Sequence, residues 1–198
     1  GAEKNTKNAA GGNMFNKSMK YLSLLLLSVV LSSCLIKSEN PLGNKASSFV
    51  DENLMGVWRS KQKDEINYLV VLKRDDGYFQ FVYFSSSFKD GVNYLGYVTV
   101  LDGEHYLNLR ELEVVSEKPA ISDYYALARY TMKKKNELEI IFFNEEFFKE
   151  AITGGLIKGT TEPVMITDTT ENLVKFVKNQ KSEKFYLDKE VLVFKRIK

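Results

Sequence analysis

Between positions 55 and 143, apolar residues recur at every second position in short runs, and clusters of turn-forming residues separate the runs. Period two marks strands that turn one face toward a core. It predicts strands at residues 56–61, 67–73, 78–84, 94–101, 105–115, 124–132 and 137–143, with two more at 184–187 and 191–197. The breaks have their own chemistry. Asp75-Asp76-Gly77 and Asp102-Gly103 are tight-hairpin signals. Lys133-Lys134-Lys135-Asn136 is a charged turn, and residues 85–92, with Asp90-Gly91, form a longer connection. Consecutive strands joined by hairpins predict a mainly β domain: an antiparallel up-and-down barrel or a strongly curled sheet.

Two strands carry more detail. In 105–115 the apolar phase changes, from Leu107 and Leu109 on one face to Leu112 and Val114 on the other, which predicts a bulge near Arg110-Glu111. The run from Tyr78 to Phe84 is bulky on both faces, so either both are buried or one lines a cavity or binding surface. In 124–132, Tyr125, Leu127 and Arg129 share one face, and Tyr124, Ala126, Ala128 and Tyr130 the other. The small alanines point to the second as the inward face.

Elsewhere the period lengthens to that of a helix. Residues 144–152, with Phe148 and Ile152 four apart, predict one short helix ended by Gly154-Gly155, and 156–162 reads as loop. A second helix opens at Thr167, with Asp168 as N-cap and Glu171 three residues later in a capping-box arrangement. Its stripe of Leu173, Phe176 and Val177 runs to about Asn179 and is expected over a barrel mouth or against the sheet. One or two short helices thus precede the last strands.

The first 48 residues follow neither period. Residues 21–31 are eleven positions without a charge, preceded by Lys17 and Lys20. A spanning helix needs roughly 20 apolar residues, whereas a secretory h-region takes roughly 7–15. The small residues Ser32 and Ser33 follow, then Cys34. The segment resembles a bacterial lipoprotein signal, with Leu31-Ser32-Ser33-Cys34 matching the lipobox pattern of aliphatic, small, small, Cys. The resemblance implies recognition of Leu31, Ser32 and Ser33 by a signal peptidase. It also implies attachment of diacylglycerol to the Cys34 thiol, and often a further acyl chain such as palmitate on the new N-terminus. Leu35 rather than Asp after the cysteine implies the outer membrane in a diderm host. The expected organisation is a polar extension at 1–13, ahead of a true start at Met14 or Met19, and a signal peptide at 14–33. The lipidated N-terminus and a flexible tether occupy 34–48, and the β domain 49–198. The tether reading of 35–48 rests on Pro41, Gly43, Asn40, Asn44 and three serines. A helical turn is expected within 49–54.

Two further features resemble the lipocalins and related calycin barrels. The first strand opens Gly56-Val57-Trp58, similar to the G-x-W with which those barrels begin, and the last ends Phe194-Lys195-Arg196. The resemblance implies that Arg196 packs over Trp58 and closes one end of the barrel. A guanidinium on an indole face is worth about 0.5–2 kcal/mol.

Charge changes meaning once the signal is set aside. The chain carries 28 basic and 26 acidic residues, but Lys4, Lys7, Lys17, Lys20 and Glu3 precede Cys34. That leaves 24 basic and 25 acidic side chains in the mature chain, with no basic excess to favour nucleic acid. The one cysteine is committed to lipid. A domain with one histidine and no other thiol does not make a typical zinc site, and no cofactor is expected. His105 lies beside Asp102 and Glu104 in sequence, and a His–carboxylate pair can act as a general base. A residue exposed after a turn is the plainer reading, and no P-loop, G-x-S-x-G or dinucleotide fingerprint accompanies it. The chain is therefore not read as an enzyme. The remaining chemistry is aromatic: Tyr125, Arg129 and Tyr130 are candidate ligand or partner contacts. The expectation is an envelope protein held on the membrane through Cys34, with a non-catalytic module for a small apolar ligand or lipid. A protein–protein interaction subunit, or an inhibitor of an envelope or secreted enzyme, is the alternative.

Overall fold

A computed structural model describes residues 36–62, 65–86, 91–115, 118–180, 183–186 and 191–197, all within one compact unit, Leu35–Lys198. Leu31, Ser32, Ser33 and Cys34 lie outside the described residues. No helix among the described residues is long and apolar enough to cross a membrane.

Among the described residues twelve strands form: β1 (Lys37–Ser38), β2 (Gly56–Gln62), β3 (Glu65–Lys73), β4 (Phe79–Ser85), β5 (Val92–Leu101), β6 (Glu104–Val115), β7 (Lys118–Ile121), β8 (Tyr125–Lys134), β9 (Glu137–Phe142), β10 (Gly159–Thr161), β11 (Val164–Ile166) and β12 (Leu192–Arg196). Eight of them, β2-β3-β4-β5-β6-β8-β9-β12, close into an antiparallel barrel of lipocalin-like architecture. β6 pairs with β8 through Tyr106↔Arg129 and Leu107↔Ala128, and β12 returns to β2 through Arg196↔Trp58. The hairpin signals operate locally as their residues require. Asp102 and Gly103 both take positive φ (52° and 85°), as a two-residue primed turn needs.

The interior follows the strand period. Trp58, Leu69, Val71, Phe79, Phe81, Val98, Leu107, Ala128, Tyr130, Leu138 and Phe194 form one buried cluster, so the alanine face of β8 is the inward one. Gly96 also faces inward: a Cβ there would stand 2.6 Å from Leu109 Cδ2 and 3.1 Å from Phe81 Cε2. Its missing side chain makes room for two larger ones.

A second core lies on the outer face of the barrel. Helices α1 (Glu145–Thr153) and α2 (Thr170–Asn179) bury Phe148, Ala151, Leu173, Phe176 and Val177 against Tyr106, Leu127, Phe143 and Phe185. The α2 stripe therefore packs against the sheet rather than over a mouth. The N-cap of α2 is Thr169, whose hydroxyl accepts from Asn172 N, one residue beyond the expected Asp168. Asp168 is a joint instead. It is almost fully buried and accepts from Lys158 N, Thr169 N and Asn172 Nδ2. Burial raises its pKa, but these bonds outweigh burial and hold the carboxyl below its usual range.

Four further expectations are corrected. Residues 36–48 are not a flexible tether. Ile36 and Leu42 are 2% and 0% exposed in the second core, and β1 pairs with both β8 and β11. Asn108 Oδ1 accepts from Leu42 N at 2.6 Å, the Tyr97 hydroxyl donates to the Gly43 carbonyl, and Thr170 Oγ1 to that of Pro41. Two apolar anchors and satisfied polar groups outweigh the ordering entropy that a polar composition suggests. The bulge near Arg110-Glu111 is absent, since β6 keeps register with β5 from Glu104 to Glu111. The phase changes because the strand then leaves the barrel to pair with β7. Residues 159–166, read partly as loop, form the β10–β11 hairpin. Finally, Glu183–Phe185 is a 3-10 turn. Phe185 and Tyr186 both pack on Phe143, at 4.8 and 5.7 Å, which strand alternation does not allow.

Candidate functional site

The barrel has two ends of different character. At one, the 3-10 turn Glu52–Leu54 crosses the opening. Beneath it the Trp58 indole is fully buried and donates from Nε1 to the Leu54 carbonyl at 2.9 Å. The Arg196 guanidinium lies 4.2 Å from the indole ring. Its Nη1 donates to Met55 O at 2.5 Å and its Nη2 to Asn53 O. Leu54, Val71, Phe79, Val98, Leu138 and Phe194 fill the space around, all 0–1% exposed. An open depression of about 520 Å³ on the outside of this end is lined by Glu52, Asn53, Lys135, Asn136 and Arg196.

The other end differs. Moving along the inward positions, exposure rises through Leu69 (5%), Ile140 (7%) and Leu109 (8%) to Tyr83, Tyr94, Ala126, Phe142 and Leu192, which are partly exposed while packing on the interior cluster. The chemistry changes with it. Ser60, Asn67 and Ser85 stand in register across β2, β3 and β4, and all three are buried. Glu65 is one inward step beyond Asn67 and accepts from Ser85 Oγ at 2.5 Å. Tyr94 is directly opposite Glu111. Burial, then the Glu65 carboxylate, pushes up the Tyr83 pKa. Burial, then Glu111 and Tyr83, pushes Tyr94 up to about 12. Glu65, Tyr83, Tyr94 and Glu111 are thus electrostatic neighbours. Asn67 Oδ1 is buried and accepts no hydrogen bond among the described residues.

The Tyr94 shift gives a testable pH dependence. Its phenol ionises near 10 when unfolded and near 12 when folded. Between those values the unfolded chain gives up the proton first. The Tyr94 contribution is therefore complete below pH 10 and is lost as pH rises toward 12. The urea midpoint of the wild type should fall across this window more than that of Tyr94→Phe. Equal slopes would refute the assignment.

The candidate contacts do not form one site. Tyr130 is inside the barrel, 2% exposed, its hydroxyl donating to Asp51 Oδ2 at 2.9 Å. Burial, then Asp51, raises its pKa. Tyr125 and Arg129 are outside. Tyr125 borders the second core beneath the Arg110 guanidinium. Arg129 pairs with Glu104 at 2.9 Å and lies 4.0 Å from the Tyr186 ring. An open depression of about 310 Å³ on this side is lined by Pro41, Asn44, Lys45, Tyr97, Tyr125, Thr170 and Glu171. Among the described residues His105 pairs with no carboxylate, and it is not fully exposed: its ring sits between Phe49 and Tyr130, at 5.5 and 5.3 Å. Glu104 is engaged instead by Arg129 and the Tyr106 hydroxyl.

Of the residues of the open end, Glu65, Asn67, Tyr83 and Glu111 were not candidates by sequence, whereas Tyr94 belonged to the aromatic surface of the strand expected at 94–101. The one local signal for those four was the two-sided bulk of Tyr78 to Phe84, which includes Tyr83. Searches of family models, curated proteins and solved structures returned no match to this chain.

Proposed function

We propose that this chain is a lipid-anchored bacterial envelope protein whose barrel is a non-catalytic module, taking a small ligand with an apolar body into its open end. The observation that carries the reading is the rise in exposure among inward-facing side chains, from none at Trp58 to partial at Tyr83, Tyr94 and Phe142. Bulky side chains fill the lower barrel, so the ligand is small and sits high. A pocket of aromatic walls with a few placed polar groups is the usual form of such sites. The anchor rests on the charge-free run at 21–31 and on Leu31-Ser32-Ser33-Cys34. Two acyl chains hold a protein on a membrane where one is marginal. The outer membrane is the proposed location in a diderm host. Cys34→Ala should move the protein from the membrane to the soluble fraction. Unchanged fractionation and gel mobility would rule out the anchor.

A second reading has its own observation. On the outer face, Val57, Val70 and Val82 stand in register across β2, β3 and β4, and the neighbouring Leu72 and Phe84 are 50% and 42% exposed. An apolar stripe of this kind suits a protein partner. Native mass spectrometry of the protein purified from its own host separates the two. A retained small molecule supports ligand binding, and a retained protein supports the partner reading. Bare chain under conditions that preserve complexes would count against both.

A further inference from the structure

The wall of the open end selects among ligand chemistries. Inward positions there carry two carboxylates, Glu65 and Glu111, and two phenols, Tyr83 and Tyr94. The basic side chains described on the same strands point the other way. Arg59 and Lys61 occupy the outward positions of β2, and Arg110 is outward on β6, bonded to Ser122 O and facing Asp123. Among the described residues, no basic side chain takes an inward position at this end. Below the carboxylates, Asn67 is 2% exposed and its Oδ1 accepts nothing among the described residues, flanked in register by Ser60 and Ser85. A buried acceptor without a donor is costly, and a bound donor would relieve it.

We infer that the ligand of the open end is an organic cation: a protonated amine on a small apolar or aromatic body. This rests on the reading of that end as the binding site. The ammonium brings N–H donors to a wall rich in acceptors, where Asn67 Oδ1 and the Glu111 carboxylate both suit it. The faces of Tyr83 and Tyr94 add cation–π attraction. The apolar body meets Phe142 and Leu192, which line the same end. A carboxylate ligand, such as a fatty acid, would bring like charge to Glu111 and acceptors to an acceptor.

The test is calorimetric titration of the purified chain with three probes of one shape: phenylpropylamine, phenylpropanol and phenylpropionate. The amine should bind about tenfold tighter than the alcohol, and the carboxylate more weakly than either, as expected for one partly desolvated charge pair. Glu111→Gln should remove about tenfold from the amine and leave the alcohol unchanged. Glu111 is partly exposed and glutamine has its shape, so the variant should fold. The wild-type ranking decides even if it does not. If the alcohol or carboxylate binds as tightly as the amine, the cation inference fails while interior binding stands. If none of the three binds at millimolar concentration, both fail.

Discussion

Trp58→Ala should destabilise the domain by about 3–5 kcal/mol, the range for removing a large buried aromatic. The indole is 0% exposed at the centre of the closed end, with Leu54 above and Phe194 and Leu138 in the same cluster. Its loss opens a cavity that a closed ring of eight strands relaxes into poorly. It also leaves the Leu54 carbonyl without its donor and takes the ring from beneath Arg196. Arg196 Nε is already buried without a partner among the described residues, so the guanidinium depends on that ring and on Met55 and Asn53. Arg196→Ala should cost less, and the double variant less than the two single costs added, because both remove one contact. Domains of this size carry about 5–15 kcal/mol in all, so urea unfolding will read the effect as a large fall in midpoint. A change below about 1 kcal/mol, as at surface positions, would mean that this end is not closed by Trp58.

The second large effect is expected where the sequence looked least structured. Leu42→Ala should cost about 2–5 kcal/mol, the range for a buried leucine. A tether would give a change within about 0.5 kcal/mol. Leu42 is 0% exposed, and its backbone N–H is held by Asn108 inside the second core. Ser47→Ala is the control within the same segment. Ser47 is exposed, and its hydroxyl bonds only within its own turn, to the Asn44 carbonyl, so its change should stay near zero. Equal, small effects of both variants would restore the tether.

The two predictions fall on either side of what a chain shows locally. The strand positions of β2 to β6, β8 and β9, the Asp102-Gly103 turn and the helical stripe of Leu173, Phe176 and Val177 were all legible, because each is set by neighbours a few residues apart, whereas β7 was not among the expected strands. The inward face of β8 was legible as well, since Ala126 and Ala128 stand where large residues would crowd a barrel. Local pattern failed wherever a distant segment supplied the partner. Residues 36–48 lack periodicity because Asn108, Tyr97 and Thr170 hold them, from positions 54 or more residues away. β10 and β11 are three residues each, too short to show a period. His105 lies beside Asp102 and Glu104 in sequence, but strand alternation turns its ring inward to Phe49 and Tyr130.

The candidate site divides the same way. The sequence alone determined that tyrosines and carboxylates occur on these strands, and its resemblance to lipocalin barrels implied that Arg196 over Trp58 would close one end. Only the closed sheet decided that Glu65, Tyr83, Tyr94 and Glu111, contributed by four different strands, face one space, with the unpaired Asn67 oxygen below them. The physical reason is register. Period two fixes a residue's face within its own strand, but which residues share a height in the barrel depends on pairing between strands, and closure sets that for all eight at once.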